Sequence, residues 1–334
     1  MQQFSITSND ADQRLDKFLK KLFPNATLGF LYKLNRKGNI KIITTEEKKI
    51  KKNNEYKLQL WEKVQVFLSD TDIEDLRATI PLQKKATISE KLLPTDIIFE
   101  DEALLIVNKN PNQNVHPADH KSQEVSLIEQ AQDYLGDQYS SLTFKPSLIH
   151  RIDRDTSGIV MIAKDKHVLM KLSEDFRKKN SIQKTYFTLC VWKFSRSSGS
   201  ITKKLKRIEN AHNENKVQVS EWWKEAITHF KVLREHTLQL PQGEQIISEV
   251  EVTIETGRMH QIRVHMAAIG TPVLWDNTYG NKWLNHYFFK HFWLTRQMLH
   301  AWKIEFFHPQ IKKKLSLEAK LKADMLKLIK KIKE

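Results

Sequence analysis

Cysteine is nearly absent from this chain of 334 residues: Cys190 is the only one. An intramolecular disulfide is therefore impossible and a thiolate metal cluster is excluded, which points to a reducing compartment. Long apolar runs are also missing. Stretches such as 104–107 and 159–163 are far too short to span a bilayer. Residues 1–12 are polar, with no apolar run leading to a cleavage site, so no secretory signal is read. No GxGxxG or P-loop is present to cradle a nucleotide cofactor. Ser157 lies in no GxSxG elbow, which argues against a hydrolase serine. His260 and His265 lack the helix-pair spacing and the nearby carboxylate of a zinc site. The expectation is a soluble cytoplasmic monomer with no metal and no cofactor.

What is present in excess is positive charge. Lys and Arg number 55 against 40 acidic residues, a formal surplus of +15. Such a surplus favours an anionic partner. With no membrane segment in view, RNA is a better candidate than lipid. The apolar fraction of 40% is ample for a sizeable core.

Along the chain, Leu15, Phe18, Leu19 and Leu22 recur at spacings of three and four, one apolar face of a helix that Pro24 ends. A second short helix is expected over 27–37, with Thr27 as its cap and Gly38 in the left-handed position after it. Strands follow at 39–45 and 55–61. This makes a small α+β module, 1–68, whose cations Arg14, Lys17, Lys33, Arg36 and Lys37 form either a solvated face or a phosphate-tracking surface. Residues 69–95 mix charges with Pro81 and Pro94 and read as a linker. From 96 to 315 strands dominate, with a turn near 100–102, which predicts an α+β domain built on a mainly antiparallel sheet. The tail, 316–334, reads as a basic amphipathic helix with an apolar docking stripe. Trp222 and Trp223 read as core or packing residues.

One segment concentrates chemistry: His150-Arg151-Ile152-Asp153-Arg154-Asp155-Thr156-Ser157-Gly158, running straight into an apolar strand. Arginines flank Asp153, and nearby guanidinium groups favour an ionised carboxylate. That suits a nucleophile or base better than a general acid. Thr156, Ser157 and Gly158 can form a turn whose hydrogen bonds fix the carboxylate. From the residues alone, an Asp–Arg pair bracing a loop is the favoured reading.

HRIDRDTSG closely resembles the HRLDxxTSG signature of the RluA-type RNA pseudouridine synthases. Lys184-Thr185-Tyr186 is similar to their second motif, and 257–265, GRMHQIRVH, to their third, GRxHQIRxH. The segment 100–109 and the VHP around His116 resemble the usual entry to the catalytic domain, and 1–68 resembles an S4 RNA-binding domain. The resemblance implies that Asp153 is the catalytic aspartate, with Tyr186 stacked on the target base and Arg263 paired with the carboxylate. It implies that Arg151 helps fill the space left by an everted nucleotide, and that His150, Thr156, Gly158, Arg258, His260 and Gln261 bind substrate. Three places depart from the pattern, one of them the S4-like part, which carries ITTEEKKI in place of the usual short Val-Asn-Gly turn. Asn110 follows Lys109 where proline is customary, and Trp275 opens a WDNTYG stretch where the family has GDxxYG. Tryptophan lacks glycine's access to positive φ, so an altered turn is expected there.

The activity implied is isomerisation of uridine to pseudouridine, in large-subunit ribosomal RNA or, second, in transfer RNA. The other readings are a non-catalytic RNA-binding ribosome-assembly factor and a glycosidase-like nucleoside hydrolase, which would need a second carboxylate.

Overall fold

The computed structural model describes residues 1–77, 91–117, 124–178, 181–209 and 215–333. Its first part runs β1 (Gln2–Ser5), α1 (Leu15–Leu22), α2 (Leu28–Arg36), β2 (Ile40–Ile43), β3 (Lys49–Ile50), β4 (Lys63–Val66) and α3 (Asp70–Arg77). The strands form an antiparallel sheet in the order β1-β4-β2-β3. The apolar face read for the first helix is real: Leu15, Phe18, Leu19 and Leu22 are buried with Phe4, Leu31, Ile42 and Val64. Thr27 caps α2 by accepting from the Phe30 amide, and Gly38 sits at φ +81° just beyond its end.

Two expectations for this part need correcting. The strand expected at 55–61 lies instead at Lys63–Val66. The buried Glu62 carboxylate accepts hydrogen bonds from Tyr56 Oη (2.7 Å) and the Gln59 amide (2.8 Å), curling 56–62 into a loop. The stretch read as linker begins with a helix, α3. Ser69 caps it, and Ile73 and Leu76 pack into the N-terminal core. Residues 78–90 lie outside the described residues.

The second part contains β5 (Ile97–Glu100), β6 (Leu104–Lys109), α4 (Leu127–Leu135), β7 (Ser147–Leu148), β8 (Ser157–Ala163), α5 (Lys166–Arg177) and β9 (Gln183–Val191). It continues through β10 (Ser198–Glu209), β11 (Asn215–Val219), β12 (Lys224–Leu240), β13 (Gly243–Ile254), α6 (Gln261–Ala268), α7 (Lys282–Phe292), β14 (Leu299–His308), β15 (Lys313–Glu318) and α8 (Ala323–Lys331). The sheet order is β11-β10-β12-β13-β9-β14-β8-β6-β5, with β7 on β8 and β15 on β14. The pairing of β8 with β14 is parallel and the other described pairings are antiparallel, in keeping with the α+β class. No described helix is long and apolar enough to cross a membrane.

The tail is the third correction. Lys313–Glu318 is a strand on β14, because Leu315 and Leu317 alternate onto the core; the helix begins only at Ala323. That helix does dock, burying Met325, Leu328 and Ile329.

The two parts meet through a buried carboxylate. Asp10, fully buried, accepts from Ser141 Oγ (2.8 Å), the Thr143 amide (2.9 Å) and Thr143 Oγ1 (2.7 Å). Lys166 adds bonds from its amide to Asn9 Oδ1 and from Nζ to the Ala11 carbonyl.

Candidate active site

Asp153 sits in the turn that feeds β8, its carbonyl accepting from the Thr156 amide at 3.1 Å. Tyr186 lies on β9, two strands away across β14. Arg263 comes from α6, which the chain reaches directly after β13. The fold brings all three to one small cleft of about 80 Å³, lined also by Arg151, Thr156, Arg258 and His260. That is room on the scale of a single planar ring, well below the ~300–1,000 Å³ of pockets for drug-sized ligands. A larger hollow of about 780 Å³ beside Lys109 and Gln130 is lined mainly by amides and aliphatic groups and contains none of the three.

The guanidinium of Arg263 is the hub. Nη1 donates to Asp153 Oδ2 at 3.1 Å, while Nε and Nη2 form a bidentate pair with Asp276 at 2.6 and 2.9 Å. Nη2 also reaches Thr278 Oγ1, and the group lies 5.3 Å from the Tyr279 ring centroid. Burial opposes the charge of Arg263, but the carboxylates of Asp276 and Asp153 overcome it and hold the group above its ordinary value. Asp276 is fully buried and accepts two further bonds, from the amides of Thr278 and Tyr279.

His260 faces the same carboxylate, with Nε2 3.8 Å from Asp153 Oδ2. Its Nδ1 lies 3.0 Å from the Tyr279 hydroxyl, which accepts from the Val217 amide. Burial lowers the His260 pKa, with Asp153 opposing and Arg263 reinforcing the shift. Burial raises the Tyr186 phenol above its usual value, and the negative charge of Asp153 adds to this. Tyr186 therefore stays protonated at neutral pH.

Beneath the cleft, Lys109 is buried and gives all three Nζ protons to carbonyls: Asn110 (2.7 Å), Gln113 (2.9 Å) and Arg154 (2.7 Å). It ties the loop bearing Asp153 to the end of β6. Asn110, in place of proline, leaves this tie intact and donates to Asp96.

Several sequence expectations resolve differently. The arginines beside Asp153 do not hold it. Arg154 pairs with Glu124 at 3.3 Å, and Arg151 stands exposed at the cleft, with no hydrogen-bond partner among the described residues. Ser157 and Thr156 do not bond the carboxylate through their side chains: Ser157 Oγ donates to His300 Nδ1 (2.8 Å), and Thr156 Oγ1 accepts from Gln297. Gly158 lines no cleft. At φ +110°, a Cβ there would strike the Ala301 main chain, so glycine lets β8 and β14 close together. Gln261 lines the cleft, but its amide is spent on Thr256, Arg258, Ile227 and Thr228, fixing the loop ahead of α6. Trp275 adopts φ +61°, a region glycine enters freely, with its ring packed on the core near α7. Such a conformation costs a bulky residue roughly 1–2 kcal/mol, which core packing offsets. Trp222 and Trp223 are exposed. Asp276 and Tyr279 were missed as site residues, although the WDNTYG stretch that carries them was visible.

His150 also stands apart from the cleft. Its Nε2 accepts from the Met161 amide at 3.2 Å and its ring stacks on Phe176. Burial, aided by Lys184, lowers its pKa to about 3, and burial lowers His300 to about 4. Both groups bind a proton when unfolded below pH ~6.5 and resist it when folded. Their contribution is thus complete above that pH and is lost as pH falls toward 4. For the fully buried His300 the slope is up to ~1.4 kcal/mol per pH unit. Urea midpoints should drop between pH 7 and 5, and less steeply in a His300→Asn variant; parallel slopes would contradict this.

Residues 103–268 match the family model described as RNA pseudouridylate synthase. A protein named ribosomal large subunit pseudouridine synthase C from Buchnera aphidicola subsp. Baizongia pistaciae is 32% identical, covering 95% of this chain and 93% of its own length. The protein of the same name from Vibrio cholerae is 32% identical over 100% of this chain and 98% of its own, and that from Escherichia coli K12 29% over 98% and 95%. Among solved structures, human RNA pseudouridylate synthase domain containing 4 superposes with a TM-score of 0.54 at 21% identity, over 71% of this chain and 92% of that one.

Proposed function

The chain belongs to the RluA-type family of RNA pseudouridine synthases, and from that premise we propose that it isomerises uridines of large-subunit ribosomal RNA, using Asp153 on an everted nucleotide. The observation that carries this reading is the Arg263–Asp153 contact at 3.1 Å inside a ring-sized cleft shared with Tyr186. A uridine within folded RNA is reached only by turning it out of its stack. Exposed Arg151, at the cleft, is suited to stack in the space left behind.

The reaction breaks the N1–C1′ bond and forms C5–C1′, moving one proton from C5 to N1 overall. It involves no net redox change and consumes no water. Attack on C1′ and removal of a sugar proton would both use an Asp153 oxygen. Tyr186, held protonated by burial and by the Asp153 charge, is a poor free base. It can pass a proton along by giving up its own as it takes the one from C5. Confinement keeps the detached uracil beside the sugar until the new bond forms.

The ribosomal target is favoured over transfer RNA by the names of the near full-length relatives. An N-terminal S4-like module for RNA is supported by a hollow of about 640 Å³ lined by Lys33, Arg36, Lys51 and Lys52. Arg14 is not free to join them, since it pairs with Asp16 and Glu55. Against a nucleoside hydrolase, Asp153 is the one carboxylate among the described residues lining the cleft, whereas glycosidases use a facing pair. Pseudouridine mapping of ribosomal and transfer RNA in cells with and without the protein tests the proposal. Signals lost from large-subunit RNA are expected. Losses confined to transfer RNA would overturn the target, and no loss would favour a non-catalytic binding factor.

A further inference from the structure

Two adjacent tryptophans stand in solvent at the turn joining β11 to β12. Trp222 is 88% exposed and Trp223 52%. The turn is held in place: the Ser220 amide donates to the Lys204 carbonyl at 2.8 Å, and Lys204 Nζ donates to the Glu221 carbonyl at 3.1 Å. The surroundings are cationic. Residues 198–208 and 216–227 carry six Lys or Arg against two acids, Glu221 and Glu225. The platform also adjoins the cleft. Arg258, a cleft residue, donates through Nε to the Glu225 carbonyl at 3.4 Å, and Leu205, Val217 and Ala226 pack on Val264, the neighbour of Arg263.

We propose that this turn is a stacking platform for the single-stranded RNA that flanks the everted uridine, with the indoles of Trp222 and Trp223 taking base faces and the lysines of β10–β12 following the phosphates. The inference rests on the RNA-modifying function above and names a contact surface for it. Turning a nucleotide out loosens its neighbours, whose exposed faces need a partner. An aromatic ring accepts any base, and flanking cations gain by releasing the counterions of the strand. The density of lysine speaks against a protein partner, since lysine is depleted at protein–protein interfaces.

The test measures binding of fluorescent oligouridylate and of a blunt RNA duplex to the full-length chain. Base–aromatic stacking predicts that Trp222→Ala weakens oligouridylate binding roughly 5- to 100-fold. Duplex binding should move far less, and Trp222→Phe should restore most of the affinity. Lys224→Gln should shrink the salt slope of log Kd by about one, as for one phosphate contact. Unchanged oligouridylate binding by a Trp222→Ala, Trp223→Ala double variant would overturn the platform while leaving the function untouched. A change of oligomeric state in that variant with RNA binding intact would make the turn a protein interface and likewise overturn it. Failure of the wild-type chain to form pseudouridine would instead strike the functional reading, because these binding measurements do not depend on turnover.

Discussion

Asp153→Asn is expected to abolish pseudouridine formation, by roughly three orders of magnitude or more, while the protein folds and binds RNA much as before. Such a loss corresponds to at least ~4 kcal/mol of activation free energy. An amide can neither attack C1′ nor take a proton from the sugar, so a step that depends on an anionic oxygen has no substitute. The fold should tolerate the change. Asp153 retains partial exposure, 27% at its side chain, and Arg263 stays clamped by Asp276 when its third partner becomes an amide. Release of tritium from RNA labelled at C5 of uridine reads the chemistry, and the thermal midpoint reads the fold. Normal tritium release in the variant would remove Asp153 from the mechanism.

The second large effect is structural in origin. Asp276→Ala should destabilise the protein by about 3–5 kcal/mol, the usual cost of stranding a buried charge. The carboxylate is fully buried and accepts four bonds, two from Arg263 and two from the Thr278 and Tyr279 amides. Its removal leaves Arg263, 8% exposed at its side chain, with the contact to Asp153, the Thr278 hydroxyl and the face of the Tyr279 ring. A guanidinium free to shift by an ångström misplaces the Asp153 oxygen it holds, at a cost of about 10²-fold in rate. Asp276→Asn should fall between, because an amide oxygen can still accept from the two backbone amides. Urea unfolding at neutral pH checks the first claim. A loss below ~1 kcal/mol for the alanine variant would show that water or a side chain replaces the carboxylate.

The parts of this molecule that were legible in the sequence share a physical character: strong local periodicity or a dense motif. The α1 stripe and the continuous apolar run of β8 declare themselves because burial on one face, or on both, writes a repeat into the chain. The parts that were missed depend on distant partners. Lys63–Val66 becomes a strand only because β1 and β2 flank it, and the seven residues before it look as strand-like until Glu62 draws them into a loop. The basic tail has the composition of a helix, but β14 recruits Lys313–Glu318 by edge pairing. In the site, Asp153, Tyr186 and Arg263 were found through motifs. Asp276 lies in the WDNTYG stretch, but that stretch does not disclose its role, which depends on Arg263 lying 13 residues upstream in the chain and directly against it in space. The exposure of Trp222 was misjudged for a related reason. Residue type sets a preference for burial, whereas only tertiary structure decides whether a core lies within reach.

One topological feature governs how the cleft is put together. β14 lies between β8 and β9, so the strand that separates Asp153 from Tyr186 comes more than a hundred residues later in the sequence than either of them. A chain cut before Leu299 would hold every charged member of the cleft and lack the strand that lies between its two walls. The spacing of the walls is thus set by a segment that carries none of the cleft's charge.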